Sequence, residues 1–374
     1  MLDLATSFRP HFEKATAGGT LTEEEAQEAF SCIMQGGVSE IELAGFLVAL
    51  KARGETVDEI AGAVAAMKRL MVPIVAPTDA IDVVGTGGDA KGTFNISTAT
   101  AFVLAGAGVP VAKHGNRAVS SKSGAADVLE KLGVHINLPP QALAACFEKA
   151  GIAFLWAPAH HPAMRHAAAV RKGLRLRTIF NLLGPLSNPA STKRQLIGAY
   201  SAQWLEPMAE VMRRANARHV WVVHGADGMD ELSTTGPSHV VELKDGNFTS
   251  FDVHPDDAGL PVANPADLKS DTPEDSAASM RALLGGKRGP FRDIVLYNAA
   301  AAFMIAGKAT DLKEGVSLAE ASIDAGHAAK AVAALIEVTK AAAEASAKPS
   351  PSGPAQGIIS RQLKRLRYGN EHSR

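Results

Sequence analysis

Ile81-Asp82-Val83-Val84-Gly85-Thr86-Gly87-Gly88-Asp89 is the run that decides how this chain folds. Its first four residues predict a buried strand, and the small residues from Ser97 to Ala107 predict a helix shortly after it. A strand that enters a glycine-rich turn before a helix start is suited to phosphate, because the backbone can approach closely and free N–H groups point at the anion. The run matches neither the dinucleotide fingerprint nor the P-loop, and a plain tight turn is the alternative interpretation.

Outward from this run, short apolar strands alternate with helices. The predicted strands are 81–84, 110–113, 152–155, 196–199 and 219–224, followed by a hairpin of 239–243 and 248–253. The predicted helices are 98–107, 123–132, 140–150 and 204–215, and later 275–284, 293–306, 318–325 and 328–345. This alternation predicts an α/β fold with a mostly parallel central sheet flanked by helices.

The chain before this region reads as helices only. Apolar residues recur at helical spacing at Leu43, Phe46, Leu47 and Leu50, and Thr22 with Glu25 forms a capping-box pattern. We expect a small helical domain over residues 1–72, joined by part of 163–195 and hinged to the larger domain. The larger α/β domain is expected over 78–162 and 196–347, with a flexible basic tail over 348–374.

Composition indicates an ordinary soluble enzyme. The 374 residues carry a net charge of −1, with 46% hydrophobic and 21% charged residues, which gives no global sign of a nucleic-acid or membrane partner. Two cysteines without redox or metal spacing, and no apolar run near ~20 residues, predict a cytoplasmic protein. Residues 90–126 and 149–205 contain basic but no acidic residues, which favours a positive cavity for an anion over a solvated face.

Three further groups of residues carry candidate chemistry. The loop from Lys113 to Ser123 follows a predicted strand and is rich in anion-binding side chains, although a polar surface loop would also explain it. Asp230 and Glu231 are adjacent and would repel each other unless they are exposed or share a cation, so they and Ser97 are candidate magnesium ligands. His160 and His161 lack metal-ligand spacing and are interpreted as loop histidines.

Taken together, these motifs resemble those of the anthranilate phosphoribosyltransferases over roughly residues 15–345. The matching stretches are Gly85-Thr86-Gly87-Gly88-Asp89, Asn95-Ile96-Ser97-Thr98, Lys113-His114-Gly115-Asn116-Arg117-Ala118-Val119-Ser120-Ser121, Arg171-Lys172, Arg177-Thr178-Ile179-Phe180-Asn181-Leu182-Leu183-Gly184-Pro185-Leu186 and Asp227-Gly228-Met229-Asp230-Glu231. The resemblance implies transfer of phosphoribose from phosphoribosyl pyrophosphate to the amine of anthranilate, in tryptophan biosynthesis. It also implies a homodimer, a helical domain hinged to an α/β domain, and magnesium, expected as two ions per monomer.

The resemblance also assigns residues. Phosphoribosyl pyrophosphate would be held by Gly85, Gly88, Asp89, Thr93, Asn95, Ile96, Ser97, Thr98, Lys113, His114, Gly115, Asn116, Arg117, Ala118, Val119, Ser120, Ser121 and Ala125. Anthranilate would be held by Gly85, Asn116 and Arg171, and magnesium by Ser97, Asp230 and Glu231. No dedicated acid or base is assigned.

Some positions depart from the family pattern, and two alternatives stay open. Ala125 stands where many members have Ser, Trp156 where Phe is common, and Gly173 and Arg175 replace the usual Glu and Gly. A pyrimidine nucleoside phosphorylase would share the architecture, but Gly115-Asn116 argues against its motif. A non-catalytic paralogue that binds nucleic acid through the basic segments is the other alternative.

Overall fold

A computed structural model describes residues 4–89, 91–118 and 123–347 of the chain. The strands are β1 Ile81–Gly85, β2 Val111–Gly115, β3 Ile152–Trp156, β4 Arg194–Gly198, β5 His219–Gly225, β6 Ser238–Lys244 and β7 Asn247–Val253. The α-helices are α1 Leu4–Thr16, α2 Glu23–Met34, α3 Glu40–Arg53, α4 Val57–Leu70, α5 Ile96–Gly106, α6 Ala125–Leu132, α7 Pro140–Ala150, α8 Ala157–His160, α9 Arg165–Leu174, α10 Phe180–Leu186, α11 Leu205–Arg214, α12 Pro273–Leu284, α13 Pro290–Ala306, α14 Leu312–Asp324 and α15 His327–Ala347. The tail predicted over 348–374 lies outside the described residues.

The strands form one sheet in the order β3-β2-β1-β4-β5-β6-β7. Strands β1 to β5 run parallel, and β6 and β7 complete the sheet as antiparallel neighbours. The predicted hairpin is present, and its two-residue turn, Asp245-Gly246, has both φ angles positive (48° and 86°), as a type I′ turn requires. The prediction of an α/β fold with a mostly parallel sheet is confirmed.

Several element boundaries differ from the sequence prediction, and strand β4 and helix α14 show the physical reason. Strand β4 begins at Arg194 rather than at residue 196, because it is paired on both sides, with β1 and β5, from its first residue. Helix α14 begins at Leu312 rather than at residue 318, because Asp311 accepts a hydrogen bond from the Glu314 N–H at 2.8 Å and caps the helix there.

The sheet has a hydrophobic core on each face. Val83 packs into the core that includes Phe102 of α5 and Tyr297 of α13. The next residue, Val84, points to the opposite face and joins a core with the N-terminal helices, α9, α10 and α11. The small helical layer therefore packs against one face of the sheet.

Local sequence signals fix the N-terminal helices. Thr22, Ser39 and Thr56 each begin a helix with a complete capping box, so these helix starts are specified by a few residues each. Phe180 of α10 packs edge-on against Phe30 of α2 with ring centroids 5.7 Å apart, which places part of the predicted returning segment in the helical layer. The exact domain boundaries stay a prediction.

No helix in the described part of the chain combines the length and the apolar character needed to cross a bilayer.

Candidate active site

A cavity of about 590 Å³ opens at the carboxyl ends of β1 and β2, between the sheet and the helical layer. Among the predicted site residues that line it are Gly85, Gly88, Asp89, Thr93, Asn95, Ile96, Ser97, Lys113, His114, Gly115, Asn116, Arg117, Ala118, Ala125, Arg171, Asp230 and Glu231. Thr98 is buried behind the lining, with 1% of its surface exposed. Val119, Ser120 and Ser121 lie outside the described residues.

Glycines at the ends of the parallel strands seat the loop that carries Asp230. Gly85 and Gly198 are paired across β1 and β4. A Cβ atom on Gly198 would lie 1.6 Å from the Asp230 carbonyl oxygen, and one on Gly85 would lie 2.4 Å from Asp230 Oδ2. The Gly87 N–H donates to Asp230 Oδ2 at 2.7 Å. The glycine-rich turn and the Asp230 loop are therefore one packed unit.

Asp89, Asp230 and Glu231 place three carboxylates on one side of the cavity. Burial, and then the charge of Asp89, raise the pKa of Asp230 to about 7. Burial, and then the charge of Asp230, raises the pKa of Glu231 well above its usual range, while the Ser97 N–H donates to it. The fully ionised cluster is unfavourable without a cation.

The donor set fits a magnesium ion that is completed by a substrate. Within residues 4–89, 91–118 and 123–347, no three His, Cys, Asp or Glu side chains form a metal site by themselves. Magnesium commonly uses one or two carboxylates and takes its remaining ligands from water and substrate phosphates. Asp230, Glu231 and the Ser97 hydroxyl supply that partial set of oxygen donors.

Lys113 brings a buried positive charge to the same side. It is 2% exposed, and its Nζ donates to the Val83 carbonyl at 2.8 Å and to Ser97 Oγ at 3.2 Å. Burial lowers the pKa of Lys113, and the charges of Asp82 and Glu231 oppose that shift. We call this side the carboxylate half: Asp89, Ser97, Lys113, Asp230 and Glu231.

The other side of the cavity is the histidine half: His114, His161, Arg171 and Phe180. His114 Nδ1 lies 3.1 Å from the Gly184 carbonyl, so this nitrogen carries the proton. The two histidine rings are 5.2 Å apart, and the Nε2 atom of each is buried without a hydrogen-bond partner. Burial lowers the pKa of His114 to about 3 and that of His161 to about 4, so both rings are neutral at pH 7.

Arg171 is the cation of the histidine half. Its guanidinium lies over the Phe180 ring, 5.4 Å from the centroid, and burial lowers its pKa. Among the described residues it has no hydrogen-bond or ion-pair partner. A half-buried, unpaired guanidinium beside flat neutral rings suits an aromatic carboxylate.

The guanidinium of Arg117, which the sequence predicts to hold phosphate, is paired with two acidic side chains. It pairs with Glu130 at 2.6 Å and with Asp127 at 3.1 Å, so its charge is already neutralised. The Arg117 N–H donates to Asn116 Oδ1 at 2.8 Å. Both the guanidinium and the backbone N–H of Arg117 therefore already have partners.

Sequence reasoning missed two residues that shape the site. His161 lies in a loop, as the sequence predicts, but it is also buried and lines the cavity, which the sequence did not indicate. His160 ends α8 and bonds the Val72 carbonyl at 3.0 Å outside the cavity. Arg177 lies 4.5 Å over the Tyr200 ring and donates to the Gly88 carbonyl, which holds the glycine-rich turn. Only the tertiary contacts show either role.

Comparison with known proteins gives the same assignment along almost the whole chain. Residues 77–329 match the model of the glycosyl transferase family a/b domain, and residues 9–71 match that of its helical bundle domain. An anthranilate phosphoribosyltransferase of Beijerinckia indica is 55% identical over 332 residues, 89% of this chain and 97% of the relative. One of Rhodopseudomonas palustris is 53% identical over 336 residues, 90% of this chain and 99% of the relative.

Solved structures agree. The anthranilate phosphoribosyltransferase of Thermus thermophilus has a TM-score of 0.83 and 45% identity, covering 88% of this chain and 99% of that one. The Saccharomyces cerevisiae enzyme in complex with PRPP and Mg has a TM-score of 0.83 and 27% identity, covering 90% and 98%. The motifs, the fold, the cavity and these similarities lead to one conclusion: the chain belongs to the anthranilate phosphoribosyltransferase family.

Proposed function

We propose that this chain transfers the phosphoribosyl group of 5-phosphoribosyl 1-pyrophosphate to the amine of anthranilate, giving N-(5-phosphoribosyl)anthranilate and pyrophosphate. The observation that carries the proposal is the meeting of two unlike halves in one cavity. The carboxylate half suits a magnesium-bound polyanion, and the histidine half suits an aromatic carboxylate.

Phosphoribosyl pyrophosphate would lie along the carboxylate half. The backbone of the Gly85–Asp89 turn would offer its free N–H groups to phosphate oxygens. The first N–H groups of α5 already donate to Phe94, Glu231 and Asn95. Lys113 adds a positive charge, and Thr93, Asn95, Asn116 and Ala118 line the rest of this wall. Val119, Ser120 and Ser121 belong to this proposal by their motif.

Anthranilate would lie in the histidine half. Arg171 would bind its carboxylate through two parallel N–H bonds, while the neutral His114 and His161 rings bound its aromatic plane. Asn116, at the border between the halves, would orient the amine toward C1 of the ribose.

The reaction then needs positioning more than acid–base chemistry. The C1–O bond to pyrophosphate breaks, the C1–N bond forms, and the amine gives up one proton. An aromatic amine is largely unprotonated at pH 7, so no general base is required. Magnesium held by Ser97, Asp230 and Glu231, which we propose as two ions per monomer, would neutralise the charge that develops on pyrophosphate.

The direct test is the decay of anthranilate fluorescence with the purified protein, phosphoribosyl pyrophosphate and magnesium. We expect loss of signal only when all three are present, and no loss when EDTA is present from the start. The double variant Asp230→Asn with Glu231→Gln should abolish magnesium-dependent turnover, and near-normal activity would contradict the metal role. No decay with the unmodified chain would redirect the work to uridine and thymidine phosphorolysis, then to salt-dependent binding of single-stranded DNA.

We propose further that the enzyme acts as a cytoplasmic homodimer. Helix α3 supports the dimer, because Ile41 (85% exposed) and Val48 (41% exposed) lie on one of its faces and a second copy would cover them. Sedimentation should give twice the chain mass, and Ile41→Asp with Val48→Asp should halve it. A monomeric unmodified chain would contradict the proposal.

A further inference from the structure

The hydrogen-bond ladder between β1 and β2 breaks off below the cavity. These strands pair at Ile81 and Val111 alone, whereas β1 with β4 and β2 with β3 each pair over five residues. The next rung of a parallel ladder would join the Val83 N–H to the Ala112 carbonyl and the His114 N–H to the Val83 carbonyl. That rung is replaced.

Side chains take up all four backbone groups of the replaced rung. The Asp82 carboxylate accepts from the His114 N–H at 3.2 Å and from the Val83 N–H. Asn188 Nδ2 donates to the Ala112 carbonyl at 2.8 Å and to Asp82 Oδ2 at 2.7 Å. Lys113 Nζ donates to the Val83 carbonyl at 2.8 Å. No group of the rung is left unpaired, so the opening is a built feature.

We call this arrangement the polar wedge: Asp82, Lys113 and Asn188. It lowers the free energy of unfolding, because it buries ionisable groups. Asp82 is fully buried, and Lys113 and Asn188 are each 2% exposed. Burial raises the pKa of Asp82 to about 6 despite the nearby Lys113 charge. A closed ladder between apolar strands would satisfy the same backbone groups without burying ions.

The wedge lies directly beneath the two loops of the carboxylate half. Above it, β1 ends in Gly85 and its glycine-rich turn, and β2 ends in Gly115 before Asn116. In the opening, the Lys113 ammonium also reaches Ser97 Oγ at 3.2 Å, on the first turn of α5. The separation of the strands thus sets where Lys113 stands relative to both loops.

We propose that Asp82 and Asn188 are positioning residues for the transfer reaction, because they hold β1 and β2 apart and so place Lys113 and the two loops for phosphoribosyl pyrophosphate. This inference rests on the proposed function for the identity of the ligand. Both residues act through Lys113 and the backbone, and neither lines the cavity.

The test is a variant that lets the ladder close. Asp82→Val with Asn188→Leu removes the side chains that compete for the rung, and we expect a folded protein with a lower melting temperature, because the buried Lys113 loses the nearby Asp82 charge. Its KM for phosphoribosyl pyrophosphate should rise at least ~10-fold, with a lower kcat, while KM for anthranilate stays within about twofold. Asn188→Ala, which removes only the bonds to Ala112 and Asp82, should show the same split less strongly and serves if the double variant does not fold.

Glu59→Gln is the matched control. Glu59 is also fully buried and accepts from two backbone N–H groups, those of Leu21 and Thr56, but it does not line the cavity. It should lose stability while both KM values stay unchanged. If the closed-ladder variant and Asn188→Ala keep the original KM for phosphoribosyl pyrophosphate and the original kcat, the wedge is merely structural and the inference is wrong. If instead the unmodified chain neither binds phosphoribosyl pyrophosphate nor consumes anthranilate, the proposed function itself fails, which is a separate result.

Discussion

The two halves of the cavity handle charge in opposite ways. The carboxylate half collects Asp89, Asp230 and Glu231 around one buried lysine, and burial raises the pKa of both Asp230 and Glu231. The histidine half keeps its titratable rings neutral and contains one cation, Arg171. The carboxylate half needs a cation and a polyanion to balance its charges. The histidine half is a recess of neutral rings that lacks only an anionic group to pair with Arg171. We infer that ligand affinity in the first half depends on added ions and in the second on shape.

Gly198→Ala should break the carboxylate half most completely. The new Cβ would overlap the Asp230 carbonyl oxygen, because backbone and not a flexible side chain stands 1.6 Å away. Moving that loop by about 1 Å should reduce kcat/KM roughly 100-fold or more. Gly236→Ala is the control, since a Cβ there would meet nothing within 4 Å. Equal activity of the two variants would contradict the conclusion that Gly198 seats the loop that carries Asp230.

Arg171→Ala should break the histidine half alone. Losing a charge-assisted bond of ~1.5–3 kcal/mol should raise KM for anthranilate about 10- to 100-fold and leave KM for phosphoribosyl pyrophosphate within about twofold. Arg171→Lys should recover only part of the loss, because an ammonium cannot form the two parallel bonds. Steady-state kinetics with each substrate varied gives the answer, and equal effects on both substrates would refute the assignment.

His161→Gln should change how stability depends on pH. The folded state keeps His161 neutral with a pKa of about 4, so the unfolded chain takes up the proton first as pH falls below ~6.5. This histidine therefore costs stability on acidification, by about 1–2 kcal/mol at pH 5 relative to pH 7. Urea unfolding at both values should show a smaller loss in the variant. His135→Gln, at an exposed position, should lose as much stability between pH 7 and pH 5 as the unmodified chain does. If His135→Gln also reduces that loss, the burial of His161 is not its cause.

Arg175→Gly should give the smallest effect, a gain of roughly 0.5–1 kcal/mol in the free energy of unfolding. Arg175 ends α9 in the left-handed region, with φ 50° and ψ 29°, where glycine has no steric penalty. Lys172→Gly, inside the same helix, should instead lose about 1 kcal/mol. Chemical denaturation compares them, and destabilisation by Arg175→Gly would mean that its side chain makes a needed contact.

Much of the fold could be predicted because its signals are local. Capping residues such as Thr22 and Ser39 mark helix starts within four residues, and apolar runs such as 81–84 mark strands without reference to the rest of the chain. Lys113 and Asp230 were identified as candidate site residues because short motifs carry them. Their assigned roles remain predictions, as does the domain division.

What the sequence hid depends on distant contacts. The residues around His161 in the sequence give no sign that its ring lies beside that of His114, which belongs to β2. The sequence also gives no sign that the Arg117 guanidinium is paired with Glu130, whereas its role as a phosphate ligand stays a prediction. Asp82 lies in a predicted strand, but the sequence gives no sign that Asn188, 106 residues later, donates a hydrogen bond to it. Pairings between remote residues leave no periodic or short-range trace.

The glycines that end β1, β2, β4 and β5 have a consequence for how this protein can evolve. A Cβ on Gly85, Gly115, Gly198 or Gly225 would come within 2.7 Å of a neighbouring atom in every case. Side chains are thus excluded at four points along one sheet edge, although these glycines are far apart in the sequence. These four codons can be randomised in a library that is selected for growth without tryptophan. Glycine should be retained most strictly at position 198. Other residues should be accepted most readily at position 115, where the neighbour is the edge of the Phe154 ring.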